Sequence, residues 1–345
     1  MNLLILGGTR FIGQHLARSA LAQGHGVTLF NRGQQAAQTD PRLETIQGDR
    51  LLDLGRLANR QWDAVIDTCG YLPSAVAASA SALAQSVKHY VFISSISVYA
   101  DFSAMGATED AALIQLTPGQ LTAANAIRPT GPVSATTYGE LYGGLKVLCE
   151  QAANNAMPGR VLVLRPGLVV GSGDYSDRFT YWVNRVAQGG EVLVPGEPLR
   201  QLQLIDAADL ARWTIRLVEQ EVVGAFNATC APTQLTMAGL LNACRRVAHS
   251  DAKFTWVDDG FLLAEGVAPW SELPLWIPAS MTEMRGFMQF DDAKASAAGL
   301  ATRPIEETIG DVLAWARNRD PELPLKAGLT ADTEAKLLKK WRQSR

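Results

Sequence analysis

The sequence has few cysteines, and the four that it has are far apart: Cys69, Cys149, Cys230 and Cys244. None belongs to a Cys-x-x-Cys pair or stands at metal-ligand spacing from a histidine, which argues against a disulfide framework and a zinc site. We expect four small buried thiols and no bound metal.

Long apolar runs and an excess of one charge are also missing. No apolar run approaches the roughly 18 residues that span a bilayer, and the first residues form an apolar strand that runs into a glycine turn instead of a signal segment. The formal net charge of −3 gives no general attraction to nucleic acid or anionic membrane. These features predict a cytoplasmic protein with a small-molecule substrate and no nucleic-acid or membrane partner.

The chain has enough apolar material for a large core, since 47% of its 345 residues are hydrophobic. Short apolar runs alternate with segments of helical period through the first half, which is typical of a parallel sheet covered by helices on both faces. We therefore predict a doubly wound α/β (Rossmann) fold. Predicted strands cover residues 3–6, 27–30, 43–47, 64–67, 90–94 and 161–164, and helices lie between most of them, for example 11–23 and 74–86.

The chain changes character near residue 170. From about Gly171 the loops are longer and richer in proline and glycine, and seven of the eight tryptophans follow residue 180. We predict a dinucleotide-binding domain over 1–170, to which about 200–230 return, and a smaller, mainly substrate-binding α/β lobe over 171–345. The segment 101–136 has little periodicity, and a loop of that length is usually functional or ordered by something else.

The first predicted strand runs directly into a glycine-containing turn that is followed by a helix. In this context glycines let backbone amides approach a pyrophosphate at the helix N-terminus. We therefore predict a dinucleotide site; the alternative is a tight turn without a ligand. Arg10 takes the middle position of the glycine pattern, where its charge suits a cofactor phosphate. The predicted cofactor residues of the turn are Gly7, Gly8, Thr9, Arg10, Phe11, Ile12 and Gly13.

The residues after the second predicted strand indicate which dinucleotide is bound. NAD sites favour an acidic residue on the ribose 2′-hydroxyl, whereas NADP sites favour an arginine near the 2′-phosphate. Here the residues are Asn31 and Arg32, without a carboxylate. Because Arg10 and Arg32 both suit a 2′-phosphate, we expect NADP, with NAD as the alternative. Asp49, after the third strand, is either an acceptor for the adenine amino group or a local turn cap.

A Tyr-x-x-x-Lys pattern occurs once, at Tyr142 and Lys146. In the predicted helix 138–154 this spacing puts both side chains on one face. Tyrosine ionises at about pH 10 in peptides, and an adjacent ammonium favours the phenolate, so we expect Lys146 to lower the pKa of Tyr142. Tyr142 is then a candidate general acid or base. Ser95 lies at the end of the fifth predicted strand, where doubly wound sheets bind ligands.

The glycine turn, the serines before Val98-Tyr99 and the Tyr142/Lys146 pair together resemble the extended short-chain dehydrogenase/reductase superfamily. The form of the turn is similar to that of an atypical branch labelled NAD-dependent epimerase/dehydratase or isoflavone-reductase-like. The related chloroplast stem-loop RNA-binding proteins share it. The resemblance implies that Ser95 hydrogen-bonds the reacting oxygen, that Tyr142 is the general acid/base and that Lys146 holds the nicotinamide ribose.

The same resemblance implies further contacts. The backbone at 68–71, from Thr68 to Tyr71, and at Pro166 and Gly167 would flank the ribose and nicotinamide. Sugar-nucleotide dehydratases of this superfamily carry an Asp-Glu pair after the active-site hydroxyl residue, where this chain has Ile96-Ser97, so elimination chemistry is disfavoured. Four residues would line the substrate pocket, in which arginines suit a carboxylate or phosphate: Arg178, Trp182, Arg200 and Gln203.

Three functions remain open at this point. The first is an NAD(P)-dependent oxidoreductase that transfers hydride between nicotinamide and a carbonyl or secondary alcohol carbon. The second is an internal-redox nucleotide-sugar epimerase, which uses the same residues and keeps its cofactor bound. The third is a non-catalytic RNA-binding relative, which the net charge and the presence of Ser95, Tyr142 and Lys146 disfavour. The resemblance also admits a homodimer.

Overall fold

The computed structural model describes residues 1–33, 40–129, 131–231, 234–320 and 322–345. Its central feature is a seven-stranded parallel sheet with helices on both faces, which confirms the predicted doubly wound α/β class. The strands are β1 (Asn2–Leu6), β2 (Gly26–Asn31), β3 (Leu43–Gln47), β4 (Trp62–Asp67), β5 (Val87–Ile93), β6 (Val161–Pro166), β7 (Leu168–Val170), β8 (Glu191–Pro195), β9 (Gln201–Leu202), β10 (Leu204–Asp206), β11 (Gly224–Ala228), β12 (Leu235–Thr236) and β13 (Lys253–Val257).

The helices connect most of these strands. They are α1 (Phe11–Ala22), α2 (Pro73–Leu83), α3 (Pro118–Ala126), α4 (Ala135–Tyr138), α5 (Tyr142–Ala156), α6 (Arg178–Ala187), α7 (Ala207–Glu219), α8 (Met237–Ala248), α9 (Asp259–Ala264), α10 (Ala293–Ala297), α11 (Ile305–Ala316) and α12 (Ala331–Gln343). Short 3-10 turns cover Leu54–Leu57, Ile96–Val98, Gly139–Leu141 and Thr282–Met284. None of the helices in the described ranges is both long and apolar enough to cross a membrane.

The large sheet has the strand order β11-β6-β5-β4-β1-β2-β3. The chain builds outward from β1 through β2 to β3, then crosses to β4 and builds in the other direction. The carboxyl ends of β1 and β4 therefore border the switch point, where a doubly wound sheet opens a ligand crevice. The edge strand β3 is largely exposed, whereas every residue of β6 is buried.

Alternate residues of β1 face the two helical layers. Leu3 and Ile5 belong to the core formed with α1 and α7, and Leu4 and Leu6 belong to the core formed with α2 and α5. All four side chains are wholly buried. A strand covered on both faces needs apolar residues at every position, which is why β1 lacks the alternating pattern of a half-exposed strand.

A second large core lies in the later part of the chain. It contains residues of α6, α8 and α11, of β8 and of the segment 273–276, with Trp182 and Trp276 buried in it. β11 nevertheless pairs with β6 in the large sheet, and α7 packs with α1. The predicted domain boundary near residue 170 stays a prediction. All four cysteines are free thiols; three are buried and Cys69 is half-buried.

The predicted helix 138–154 is divided in the structure. Tyr138 ends α4, a 3-10 turn follows over Gly139–Leu141, and α5 begins at Tyr142. Gly139 has φ +53°, a conformation that glycine adopts far more easily than other residues and that does not continue a helix. Tyr142 is therefore the first residue of its helix.

The long segment 101–136 is ordered by local contacts over its described residues, which exclude 130. Leu113 forms an isolated antiparallel bridge with Tyr99. The helix α3 begins with a capping box, in which Thr117 and Gln120 satisfy each other's backbone amides. Ile114 and Leu116, between these two features, pack on the first turn of α5. Leu116 belongs to the same apolar cluster as Tyr142.

Candidate active site

The glycine turn after β1 has no room for a side chain at Gly8 or Gly13. Gly7 (φ +97°) donates its amide to Phe30 O at 2.9 Å. A Cβ on Gly8 would lie 2.5 Å from Leu29 Cδ2, and a Cβ on Gly13 would lie 2.7 Å from the Cα of Gly8. A side chain on Gly13 would push α1 away from the turn, and a side chain on Gly8 would collide with β2.

The N-terminus of α1 faces this turn without a side-chain cap. Arg10 occupies the N-cap position and makes no capping hydrogen bond. Gly13 N donates to Arg10 O at 2.9 Å, whereas the amides that precede it in α1 have no partner within the helix. They lie at the positive end of the helix dipole, close to the two glycines of the turn. This cradle fits the pyrophosphate of a dinucleotide.

Arg10 and Phe11 contact a loop that sequence reasoning did not single out. The guanidinium of Arg10 lies 4.3 Å from the ring centroid of Tyr175, and the ring of Phe11 meets Tyr175 edge-on at 6.3 Å. His15 Nε2 hydrogen-bonds Ser172 O at 2.8 Å, which fixes the same loop. No motif in the sequence marks Tyr175, because its contacts come from chain segments more than 150 residues away.

The end of β2 offers hydrogen-bond donors to a ligand. Asn31 Oδ1 already accepts from Gly33 N at 2.8 Å. Asn31 Nδ2 is buried and has no hydrogen-bond partner among the described residues. Arg32 is exposed, and its backbone carbonyl accepts from Gln47 Nε2.

Asp49 acts as a cap of its own turn, since its Oδ1 accepts from Leu51 N at 2.8 Å. A contact with adenine stays a prediction. The next residue, Arg50, was not foreseen: it forms two hydrogen bonds of 2.8 Å with Asp67 at the end of β4. Burial alone would raise the pKa of Asp67, but the Arg50 guanidinium holds it below the ordinary value.

Ser95, Tyr142 and Lys146 meet beyond the carboxyl end of β5. Ser95 caps the 3-10 turn that follows β5, and its Oγ accepts from Ser97 N at 3.1 Å. The Ser95 hydroxyl donates to Ser97 Oγ at 3.0 Å, and the Ser95 side chain is near enough to the Tyr142 phenol to lower the pKa of that phenol. Lys146 Nζ lies 6.0 Å from the Tyr142 ring centroid, one helical turn farther along α5.

Lys146 is almost wholly buried, with 3% of its surface exposed. Its Nζ donates to Ile93 O at 2.7 Å and Gly70 O at 2.9 Å, and lies 4.5 Å from the Phe92 ring centroid. Burial lowers its pKa. These two carbonyls use two of the three donors of an ammonium group, and a ribose hydroxyl suits the third.

The pKa of Tyr142 differs from our expectation. Burial raises the pKa of Tyr142 well above the ordinary value, and the neighbouring Ser95 side chain lowers it only in part. The lowering that we expected from Lys146 is therefore wrong for this structure. Sequence spacing places a charge near the phenol but gives no measure of how much solvent the phenol loses.

Two glycines directly after Tyr142 bring α5 against its neighbours. A Cβ on Gly143 would lie 1.9 Å from Ser97 O, and a Cβ on Gly144 would lie 2.4 Å from Leu116 Cγ. Two adjacent glycines are unfavourable inside a helix unless packing requires them. This pair was the available signal for the close approach that sets Ser95 beside Tyr142.

The remaining predicted cofactor residues lie on either side of β5. Thr68 follows β4 and donates its hydroxyl to Leu6 O at 2.8 Å. Tyr71 stacks on Tyr138 with ring centroids 6.2 Å apart. Pro166 ends β6, and a Cβ on Gly167 would lie 2.9 Å from Thr229 Oγ1. The resemblance assigned these positions to the ribose and nicotinamide, and that assignment stays a prediction.

Two of the four expected substrate residues are core residues instead. Trp182 is wholly buried and donates its indole N–H to Pro274 O at 2.7 Å. Gln203 is buried, and its amide is used by the backbone of Cys230 and Phe290. Neither side chain is available to a substrate, so we withdraw both from the pocket.

The two arginines differ from each other. Arg200 forms an ion pair with Asp259 at 2.7 Å and donates to Ile277 O at 2.8 Å, which joins these loops. Its contact with a substrate stays a prediction. Arg178 begins α6, and its guanidinium lies 5.3 Å from the Trp270 ring centroid. No carboxylate among the described residues forms an ion pair with Arg178, so it remains a candidate.

Comparison with known proteins supports the resemblance. Residues 3–228, more than half of the chain, match the NAD dependent epimerase/dehydratase family. The chloroplast stem-loop binding protein of 41 kDa b from Arabidopsis thaliana is 25% identical over 263 residues, which are 71% of this chain. The chain spans 62% of the length of that relative.

Solved structures show the same fold. The UDP-glucuronic acid 4-epimerase from Bacillus cereus, in complex with NAD, has a TM-score of 0.63 at 16% identity, over 92% of this chain and 99% of that chain. The UDP-N-acetylglucosamine 4-epimerase from Bacillus cereus has a TM-score of 0.62 at 16% identity, over 91% and 99%. From the family match over the glycine turn, the sheet and the Tyr142 helix, this chain belongs to the NAD dependent epimerase/dehydratase family.

Proposed function

We propose that this protein is an NAD(P)-dependent oxidoreductase that transfers a hydride between the nicotinamide and a carbonyl or secondary alcohol carbon of a small molecule. The observation that carries the proposal is the convergence of Ser95, Tyr142 and Lys146 beside the glycine turn. Hydride transfer at a carbinol carbon needs a proton donor or acceptor at the oxygen, and these residues supply one.

Each residue has a separate role in the proposed reaction. When bound, the nicotinamide supplies or accepts the hydride. Ser95 and Tyr142 hydrogen-bond the reacting oxygen, and Tyr142 gives its proton to that oxygen as a carbonyl is reduced. Lys146 is fixed by two backbone carbonyls and directs its remaining donor to the ribose. The uncapped N-terminus of α1 holds the pyrophosphate.

The preferred cofactor is NADP. The segment directly after β2 has no acidic residue that would accept from a ribose 2′-hydroxyl. Asn31 Nδ2 is a buried donor without a partner in the described part of the chain, and Arg32 is an exposed cation. Donors and positive charge suit a 2′-phosphate. NAD is the alternative, since the family is named for it and the Bacillus cereus neighbour was solved with it.

We expect Arg32→Ala to weaken NADPH binding by about tenfold and to leave NADH binding unchanged, because only NADPH carries the phosphate that Arg32 would pair with. Titration of both nucleotides by nicotinamide fluorescence measures this. Arg18→Ala, which removes an exposed arginine from α1, is the matched control. Equal losses for NADPH and NADH, or equal affinities in the unmodified protein, would contradict the assignment.

A second candidate is an internal-redox nucleotide-sugar epimerase, favoured by the two UDP-sugar epimerases that share the fold over more than nine-tenths of the chain. Such an enzyme keeps its nucleotide between turnovers. The test is to denature freshly purified protein and quantify the released nucleotide. We expect little to be released. Near-stoichiometric NAD(H) would instead support the epimerase and would refute the roles given to Arg10 and Arg32.

The third candidate is RNA binding, which is suggested by the name of the Arabidopsis relative, a stem-loop binding protein. The net charge of −3 disfavours it, because phosphate-driven binding normally needs a basic surface. Tight, salt-dependent binding of a stem-loop RNA that survives Tyr142→Phe would support this candidate over the oxidoreductase.

Arg178 is the proposed contact for an anionic group of the substrate. Its half-buried guanidinium lies over the Trp270 ring. Burial lowers the pKa of Arg178 by more than the nearby Asp174 and Tyr175 raise it. A carboxylate or phosphate on the substrate would pair with it.

A further inference from the structure

A buried ion pair lies directly behind the catalytic residues. Arg165 donates from Nη2 to Glu150 Oε2 at 2.8 Å and from Nε to Glu150 Oε1 at 3.1 Å. The two side chains are only 5% and 7% exposed. Tyr142, Lys146 and Glu150 follow each other at intervals of four residues, so they lie along one face of α5.

The pair also reaches the two strand ends that border the site. Ser94, which precedes Ser95, donates its hydroxyl to Glu150 Oε1 at 2.5 Å. Arg165 precedes Pro166 and Gly167 at the end of β6. One carboxylate on the Tyr142 helix thus contacts the residue before Ser95 and the residue before the proposed nicotinamide contact.

Arg165 extends the network to the other side of β6. Its Nη1 donates to Tyr99 OH at 3.2 Å and to Glu109 O at 3.0 Å. Tyr99 in turn donates to Asn227 Oδ1 at 2.5 Å, and Asn227 N donates to Glu109 Oε1 at 2.7 Å. Tyr99 and Asn227 are wholly buried and Glu109 is half-buried. The network joins β6 and β11, and the residues that follow β5, to the segment 101–136.

Stability alone is a weak reason for such a pair. Removing two charges from water costs about as much free energy as their attraction returns, and apolar residues of similar volume often stabilise a core equally well. What apolar residues do not provide is direction. The Glu150 carboxylate accepts from three donors, Ser94 Oγ, Arg165 Nε and Arg165 Nη2. Because hydrogen bonds have a narrow range of lengths and angles, these contacts fix the distance from α5 to the ends of β5 and β6.

We infer that Glu150, through Arg165 and Ser94, is a positioning residue that sets Lys146 and Tyr142 at working distance from Ser95 and from the nucleotide bound beside β6. This inference rests on the proposed function. It predicts that loss of the pair weakens nucleotide binding even where the fold is intact.

The experiment compares Glu150→Gln with the double variant Glu150→Met/Arg165→Met. For each we would measure the thermal midpoint and the affinities for NADPH and NADH, followed by quenching of tryptophan fluorescence. We expect Glu150→Gln to bind about tenfold more weakly, the size of one lost charge-assisted hydrogen bond. We expect the double variant to regain the thermal midpoint, because no charge is left unpaired, but not the affinity.

Glu334→Gln is the matched control. Glu334 is a helix carboxylate that is 6% exposed and accepts from Arg185 Nε at 2.6 Å and Leu193 N at 2.9 Å, away from the site. Its loss is expected to lower the thermal midpoint and leave nucleotide affinity unchanged.

Three results would overturn the inference. They are wild-type affinity in folded Glu150→Gln, recovery of affinity together with the thermal midpoint in the double variant, and failure of both variants to fold, which would assign the pair to folding itself. An unmodified protein that binds neither nucleotide would overturn the proposed function instead, so the two failures are distinguishable.

Discussion

Tyr142→Phe is expected to lower kcat by about two to four orders of magnitude while nucleotide affinity stays nearly unchanged. The substitution removes only the phenolic oxygen, which lies near the Ser95 side chain and would exchange a proton with the reacting oxygen. The ring, which lies 6.3 Å from the Tyr71 ring, is kept. Steady-state turnover and a fluorescence titration with NADPH and NADH measure the two quantities separately.

Tyr138→Phe is the control for this variant. Tyr138 is buried at the end of α4, one turn of chain before Tyr142, and its ring stacks on Tyr71. Removing its hydroxyl should leave turnover as it is. Wild-type turnover in Tyr142→Phe would show that another group moves the proton.

The raised pKa of Tyr142 predicts a pH dependence of the unmodified enzyme that Tyr142→Phe should lack. Because burial keeps the phenol protonated at neutral pH, carbonyl reduction should be insensitive to pH there. Alcohol oxidation needs the phenolate, so its rate should rise as the pH increases toward the raised pKa. Rate profiles in both directions test this, and the rise with pH should disappear in Tyr142→Phe.

Lys146→Met is expected to reduce both quantities, nucleotide affinity by about tenfold and turnover by about a hundredfold or more. Methionine keeps the length and apolar contacts of the chain but removes the ammonium, and with it the donor that we assign to the ribose. It also leaves Gly70 O and Ile93 O without the donors that hold them now. The same titrations and turnover assays measure the loss.

Lys88→Met is the matched control, since the Lys88 side chain is 73% exposed and pairs with Asp63 at the opposite, amino end of the strands. We expect no change in affinity or turnover. If Lys146→Met lost turnover but bound both nucleotides normally, Lys146 would act on Tyr142 alone and its ribose contact would be wrong.

Much of the site could be predicted because it is built from short stretches of chain. β1, the glycine turn and α1 follow each other without a break, and the close contacts of Gly8 and Gly13 are made within that stretch and its neighbouring strand. The i, i+4 spacing of Tyr142 and Lys146 puts them on one face of any helix. Ser95 could be predicted because it closely follows the end of a strand, β5, although Tyr142 lies 47 residues further along the chain.

Other parts of the site depend on contacts between distant segments. Tyr175 reaches Arg10 across more than 150 residues, and Arg50 reaches Asp67 across 17. Trp182 is an aromatic residue of the kind that lines ligand pockets, but the second core covers it completely. Sequence patterns report the period of an element and not which other element will cover it.

The sequence by itself determined the doubly wound class, the family resemblance and the positions of Ser95, Tyr142 and Lys146, because strand burial, the glycine turn and helical spacing are local properties. Only the tertiary structure decided which polar groups remain available. It committed Gln203 to structural contacts, left Arg178 beside Trp270, and raised the pKa of Tyr142. Burial and pairing depend on every segment packed around a residue, and so they are fixed only when the whole chain has folded.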